Sequence, residues 1–311
     1  TAYEITYGDW SSDVCSSDLL GPLAAFPRGA GPGDALHRML EQIDYPSLAA
    51  GDLEDATTVV TRELDRAGLA TDLAGAVVTA LQQLVQTPLG GELGSLRLAD
   101  LEPNGWLNEM AFDLPLATAR EWLVRSSGLA EVFRRHDGGR FGQAYGSQLQ
   151  GLNVASRGFL TGSIDLVFRC GERWWVADWK SNWLGERDRQ GDVLRCGPND
   201  YSAEAMDALM ATNHYPLQAH LYLVALHRYL RWRLPGYTPE RHLGGYAYVF
   251  LRGAPGPLAE FSQAESGQLD LRLTQPSPDA DVPGIFLERP PLQRLLALEA
   301  LFAGRQEEGQ R

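Results

Sequence analysis

Cysteine is scarce in this chain, with three in 311 residues, and Cys15 lies in an N-terminal stretch set aside below. Cys170 and Cys196 follow no ligand or disulfide spacing, which excludes a disulfide scaffold and a zinc site. Long apolar runs are also missing. No segment approaches the roughly 18 apolar residues that span a bilayer, and no secretory leader is evident, so a cytoplasmic protein without a membrane partner is expected. A GxxxxGK[ST] phosphate loop is absent, so no ATPase activity is expected from these residues. Positive charge is in deficit: 27 Lys and Arg stand against 40 Asp and Glu, a formal net charge of −13. A polyanion is therefore not captured by the overall field. What is present, 44% hydrophobic and 22% charged residues, suits one large globular domain able to bury its own core.

Residues 1–19 carry TAYEI and DWSSDVCSSDL, which read as translated sequencing adapter around a short index. They are set apart, and the folded domain is expected over 20–311 with its core at about 105–304. Pro32, Gly33 and Asp34 open a helix whose apolar stripe is Leu36, Met39, Leu40 and Ile43, with His37 at the stripe's border. Apolar spacing over 53–88 predicts further helices, and 107–114 a strand that carries Glu109. Residues 137–157, Gly-rich with Arg140, Tyr145 and Gln148, read as an irregular loop, as do 181–200 and 254–283. Ser202 is placed to cap a helix through Asn213. A second helix from about Pro216 sets Gln218 and Tyr222 four apart on one face, beside a stripe of Leu217, Leu221, Val224 and Leu226. His214, His220, His227, Arg228, Arg231 and Arg233 read as a basic, solvated neighbourhood. A buried strand is expected over 246–251 and a final helix after Pro290 and Pro291.

Chemistry concentrates between Gly158 and Gly185. Strand alternation puts Trp174, Val176, Asp178 and Lys180 on one face and Trp175, Ala177 and Trp179 on the other. Across a turn at 170–172, Asp165 falls within about one residue of a position opposite Asp178. Two carboxylates so close are a divalent-metal site or a shared-proton pair, and the adjacent Lys180 favours a metal and a water. A glycosidase could also use two carboxylates, but the lysine and the lack of an aromatic sugar motif count against it.

Asp165, twelve intervening residues and Asp178-Trp179-Lys180 match the core of the PD-(D/E)xK nucleases. With FPRGAGPGDALHRML, DWKSNWLGE, HYPLQAHLYLVALHRYLR and HLGGYAYVFLRG, the chain resembles the C-terminal nuclease domain of the RecB subunit of bacterial exodeoxyribonuclease V (RecBCD). The resemblance implies an α/β, restriction-endonuclease-like fold: a mixed central sheet flanked by helices, with a helical N-terminal elaboration. It implies Mg²⁺-dependent DNA hydrolysis, with Ca²⁺ as another occupant of the same site. His37, Asp165, Asp178 and the main-chain carbonyl of Trp179 are then the metal ligands, with Lys180, Gln218 and Tyr222 as catalytic partners. It further implies RecC-like and RecD-like subunits, a RecA-type recombinase, and a helicase N-terminal to this fragment that feeds it DNA. The competing expectation is a catalytically silent docking module of the same fold. For Glu109, an additional active-site acid and an exposed strand carboxylate both stay open.

Overall fold

The computed structural model describes residues 21–117, 123–257, 259–263, 269–273 and 281–305; the adapter-like residues 1–19 lie outside them. Four helices come first: α1 (Ala30–Gln42), α2 (Tyr45–Ala49), α3 (Glu54–Arg66) and α4 (Ala74–Gln86). The main sheet follows as β1 (Trp106–Pro115), β2 (Phe159–Cys170), β3 (Arg173–Lys180), β4 (Leu243–Phe250) and β5 (Ile285–Glu288), lying side by side in chain order. Between β1 and β2 run α5 (Ser126–Arg135) and α6 (Gln143–Gly151). Between β3 and β4 run α7 (Ala203–Thr212), α8 (Tyr215–Arg233) and a single turn, α9 (Pro239–His242), and α10 (Leu292–Phe302) follows β5.

Strands β1 to β3 form an antiparallel meander, β3 and β4 are parallel, and β5 is antiparallel to β4. The parallel step is what requires the long crossover through α7 and α8. Ser202 Oγ accepts the Ala205 N–H at 3.3 Å and caps α7.

The alternation in β3 divides the interior. Trp175, Ala177 and Trp179 pack with Leu166, Phe168, Ala247 and Val249 against the α1–α4 side. Val176, Val167, Tyr246, Tyr248 and Phe250 pack against α5, α6, α7, α8 and α10. Trp175 and Trp179 are almost wholly buried. Each supplies on the order of 5 kcal/mol of transfer free energy, which fixes the register of β3 and therefore the positions of Asp178 and Lys180 on either side of Trp179.

Several segments depart from the sequence expectation. Residues 143–151, expected to be irregular, are helical, because Tyr145 and Leu149 bury one face and Gly146 permits close packing. A Cβ on Gly146 would stand 2.9 Å from the Ala130 carbonyl of α5. The loop over 181–200 folds a small hairpin of Glu186–Arg187 with Val193–Arg195. Within 254–283, Ala259–Gln263 and Leu269–Leu273 pair as an antiparallel ribbon, and the rest of 258–280 lies outside the described residues.

The α8 face also differs. Leu217 and Leu221 are only half-buried, while Ala219, His220, Leu223, Leu226 and His227 are buried. His220 is therefore no part of a solvated basic face: burial first, then the Arg294 charge, pulls it down to about 3, and its Nδ1 lies 2.6 Å from the Pro216 carbonyl. His227 is lowered by burial too, with Nδ1 2.8 Å from the Tyr237 hydroxyl. Arg228 and Arg231 approach Glu299 at 3.5 and 3.6 Å. No helix among the described residues is long and apolar enough to cross a membrane.

Candidate active site

The β2–β3 ladder ends at Leu166 paired with Ala177, so the next residues in register are Asp165 and Asp178. There the strands part, and a side chain replaces the main-chain acceptor: Asp165 Oδ2 takes the Trp179 N–H at 2.8 Å. Both aspartates are buried. On the far side of Asp165, Glu109 lies opposite it between the pairs Asn108–Leu166 and Met110–Ile164. Glu109 has φ 50°, costly for a non-glycine residue within a strand, and its exposed carboxylate accepts from Ser163 Oγ at 2.7 Å. Beyond Asp178 the row continues to Tyr248 of β4. Three carboxylates thus occupy successive strands at one level of the sheet.

Helix α1 brings in His37, whose Nδ1 is 3.3 Å from Asp165 Oδ2. Gly33, one turn earlier, permits this approach, since a Cβ there would stand 3.0 Å from Ser181 Oγ, just past the end of β3. The lead into α1 is fastened by a residue that pattern reading passed over. Arg252 follows β4, is buried, and donates to the carbonyls of Phe26 at 3.1 Å, Pro27 at 2.8 Å and Ser181 at 3.0 Å, and to Leu23. One guanidinium thereby joins the chain entering α1 to the chain leaving β3. Its only sequence signal is the FLRG block that ends β4.

Lys180, the single lysine in the sequence, places Nζ 2.5 Å from Asp178 Oδ2 and 3.3 Å from Gln218 Oε1. It also lies 4.2 Å from the Tyr215 ring centroid and 5.1 Å from that of Tyr248. The four-residue spacing on α8 does join Gln218 to Tyr222, with Gln218 Nε2 donating to the Tyr222 hydroxyl at 2.8 Å. Gln218 Oε1 also accepts from the Tyr248 hydroxyl at 2.9 Å. Gln218 thereby joins Lys180, Tyr222 and Tyr248 in one hydrogen-bonded group.

Electrostatics follow from this crowding. Burial drives the Asp178 carboxyl up to about 6; the Lys180 charge opposes the rise and the Asp165 charge adds to it. Burial pulls His37 down, but the hydrogen bond and charge of Asp165, with Asp178 behind them, outweigh it and leave His37 raised. Tyr222 is pushed up by burial and then by Asp178 and Asp165, so the phenol remains a hydrogen-bond donor.

The donor set suits a hard divalent ion. Asp178 Oδ2 is buried and has the Lys180 ammonium as its partner. A buried carboxylate beside a second carboxylate and an imidazole would suit Mg²⁺ or Ca²⁺ better than zinc. The set is not closed into a cage: among the described residues no three His, Cys, Asp or Glu side chains are gathered as metal ligands.

A mixed sheet that opens at the end of a parallel strand onto two aspartates, a lysine and a histidine defines an α/β nuclease fold. The chain belongs to the PD-(D/E)XK nuclease superfamily, whose family model matches residues 25–281. Nucleases of this superfamily are generally dependent on a divalent metal. Among curated relatives, the chain is 34% identical over 300 residues to the RecBCD enzyme subunit RecB of Mycobacterium tuberculosis, covering 92% of this chain and 25% of that protein. It is 32% identical over 306 residues to the RecB subunit of Mycolicibacterium smegmatis, with 92% of this chain and 25% of that protein covered. To the Escherichia coli K12 RecB subunit it is 36% identical over 228 residues, 73% of this chain and 17% of that protein. The chain thus spans a quarter or less of the length of these relatives.

Proposed function

We propose that residues 20–311 form the nuclease module of a RecBCD-type helicase-nuclease and hydrolyse DNA phosphodiesters with Mg²⁺ in the repair of double-strand breaks. RecC-like and RecD-like subunits are the proposed partners, and a RecA-type recombinase the proposed recipient of the processed strand. The observation that supports the reading is the buried cluster in which Asp165 and Asp178 stand opposite one another on adjoining strands, with the Lys180 ammonium 2.5 Å from Asp178. A silent docking scaffold has no use for such a group, which costs stability and contributes only to a ligand.

Asp165, Asp178, the Trp179 carbonyl and His37 would hold the ion. A bound divalent cation supplies Lewis acidity toward a phosphate oxygen and makes water more acidic. Lys180 places its ammonium where an attacking water and the developing phosphate charge can both meet it. Tyr222, facing Asp178 and fixed by Gln218, donates toward the scissile phosphate. His37 and Asp165 set the entry of α1 against β2 and close the wall of the site. The net charge of −13 suits a module that receives its strand from a tethered motor, because the tether replaces long-range attraction by high local concentration.

Incubating the chain with linear DNA in Mg²⁺, Ca²⁺ or chelator is the test. Cleavage with Mg²⁺ that stops in chelator is expected. Equal cutting in chelator, or none with any divalent ion while the protein is folded, would contradict the reading.

A further inference from the structure

The segment that leaves the site carries a feature that the acid, lysine and histidine cluster does not use. Trp183, three residues after Lys180, is half-exposed and has three guanidiniums over its ring: Arg187 at 4.6 Å, Arg252 at 5.4 Å and Arg28 at 5.6 Å from the centroid. The ring is pinned, since its Nε1 donates to the Gly185 carbonyl at 2.7 Å. Arg252 is the buried member, committed to the carbonyls of Leu23, Phe26, Pro27 and Ser181. Arg28 and Arg187 are exposed, and neither forms an ion pair with a carboxylate among the described residues. Arg187 has one side-chain hydrogen bond there, to the Gly191 carbonyl at 2.6 Å. The nearest acids in sequence are engaged elsewhere. Glu186 pairs with Arg195 at 3.1 Å, and Asp188 accepts the N–H groups of Gln190 and Asp192 at 2.9 and 2.8 Å.

In a chain with 40 acidic residues against 27 basic ones, two neighbouring guanidiniums left without carboxylates form a local reversal of sign. Burial lowers Arg252, and the charges of Arg28 and Arg187 add to that lowering, so all three contribute to one positive field. Stacking on an aromatic ring fixes a guanidinium in place while leaving its N–H fork outward, the geometry that suits phosphate oxygens. Three residues of chain reach at most about 10 Å, so the backbone of Trp183 lies within that distance of the backbone of Lys180.

We propose that Arg28 and Arg187, held on Trp183, grip the phosphodiester backbone of the DNA strand beside the scissile position. This rests on the nuclease reading above and adds to it the side of the site along which the strand runs. The pair supplies local phosphate contacts that the overall negative charge denies the rest of the surface. Contact is to the backbone, so the grip is indifferent to base sequence.

The test measures binding of a thymidine oligonucleotide of about twenty residues in chelator across a salt series, and cleavage with Mg²⁺. Arg28→Gln with Arg187→Gln should weaken binding roughly tenfold and reduce the salt slope by about 1.4, the value for two lost single-strand phosphate contacts. KM should rise by a similar factor with kcat unchanged. Arg28→Lys with Arg187→Lys should keep the slope, which a folding defect would not. Arg241→Gln, at the opposite end of β3 where Arg241 meets Glu172, should change nothing. An unaltered slope in the Gln variant, or no measurable binding at low salt, overturns the proposal. If the slope is unaltered while Mg²⁺-dependent cleavage persists, the grip is wrong and the nuclease reading stands. If the slope falls as expected in a wild-type chain that does not cleave, the grip stands and the hydrolytic reading fails.

Discussion

Replacing Asp178 by Asn is expected to lower Mg²⁺-dependent DNA cleavage by about a thousandfold or more while leaving the thermal unfolding midpoint unchanged or slightly higher. The two halves of this result have one cause. Asp178 is buried, has Lys180 as its ion-pair partner, and shares its level of the sheet with Asp165. On the proposed reading its charge serves a cation, and in the fold that charge costs stability. With the folded-state pKa raised from 3.8 to about 6, the folded protein binds more protons than the unfolded chain between those values. The destabilisation is therefore absent below about pH 4 and complete above about pH 6. Asn keeps the shape and removes the cost, although Lys180 then relies on Gln218 and the Tyr215 and Tyr248 rings. On the proposed reading, loss of a ligand and of the charge that holds Lys180 removes stabilisation of the transition state. Rates on linear DNA and calorimetric unfolding check both halves, and a variant that cuts normally would remove Asp178 from the chemistry.

Arg252→Met is expected to destabilise the protein by about 3–5 kcal/mol, the range for removing one partner from a buried charged network. Methionine retains the stem but none of the donors. Four carbonyls, on Leu23, Phe26, Pro27 and Ser181, lose the guanidinium that satisfies them. At this chain length such a loss lowers the unfolding midpoint by roughly 5–8 °C. Arg252→Lys should recover only part of it, because a point charge cannot reach carbonyls on both segments. The damage should be uneven. Hydrogen exchange should rise first in the lead into α1, while the β2–β3 pairing remains protected. A drop of less than about 1 kcal/mol, or uniform loss of protection, would show that α1 is held chiefly by its leucines and not by the Arg252 clamp.

The sequence made the sheet and half of the site readable because both depend on short periods. A period of two sets Trp175, Ala177 and Trp179 against Asp178 and Lys180, and counting back across a turn brings Asp165 to within about one residue of a position opposite Asp178, where the observed register puts it directly opposite. A spacing of four joins Gln218 to Tyr222. What was not legible lies between segments distant in sequence. Arg252 meets residues 225 to 229 positions away, and Tyr248 reaches Gln218 from the neighbouring strand of the parallel pair. The positive φ of Glu109 has no local signature, since glutamate carries no preference for that conformation. Residues 143–151 misled for a different reason. Their glycines mark close packing of α6 on α5, which composition alone cannot distinguish from an irregular loop. His220 likewise looked like surface charge until its burial was known. One signal was available and overlooked: the single lysine among 27 lysines and arginines stands at position 180.

The central claim is that Asp165 and Asp178, on adjoining strands, hold one divalent ion together. Anomalous scattering from crystals soaked in Mn²⁺, a substitute for Mg²⁺, measures this directly. One peak is expected within ligand distance of both carboxylates and the Trp179 carbonyl, with His37 turned toward it and Lys180 released from Asp178. A peak elsewhere, or none with Lys180 still against Asp178 at saturating Mn²⁺, would contradict the account.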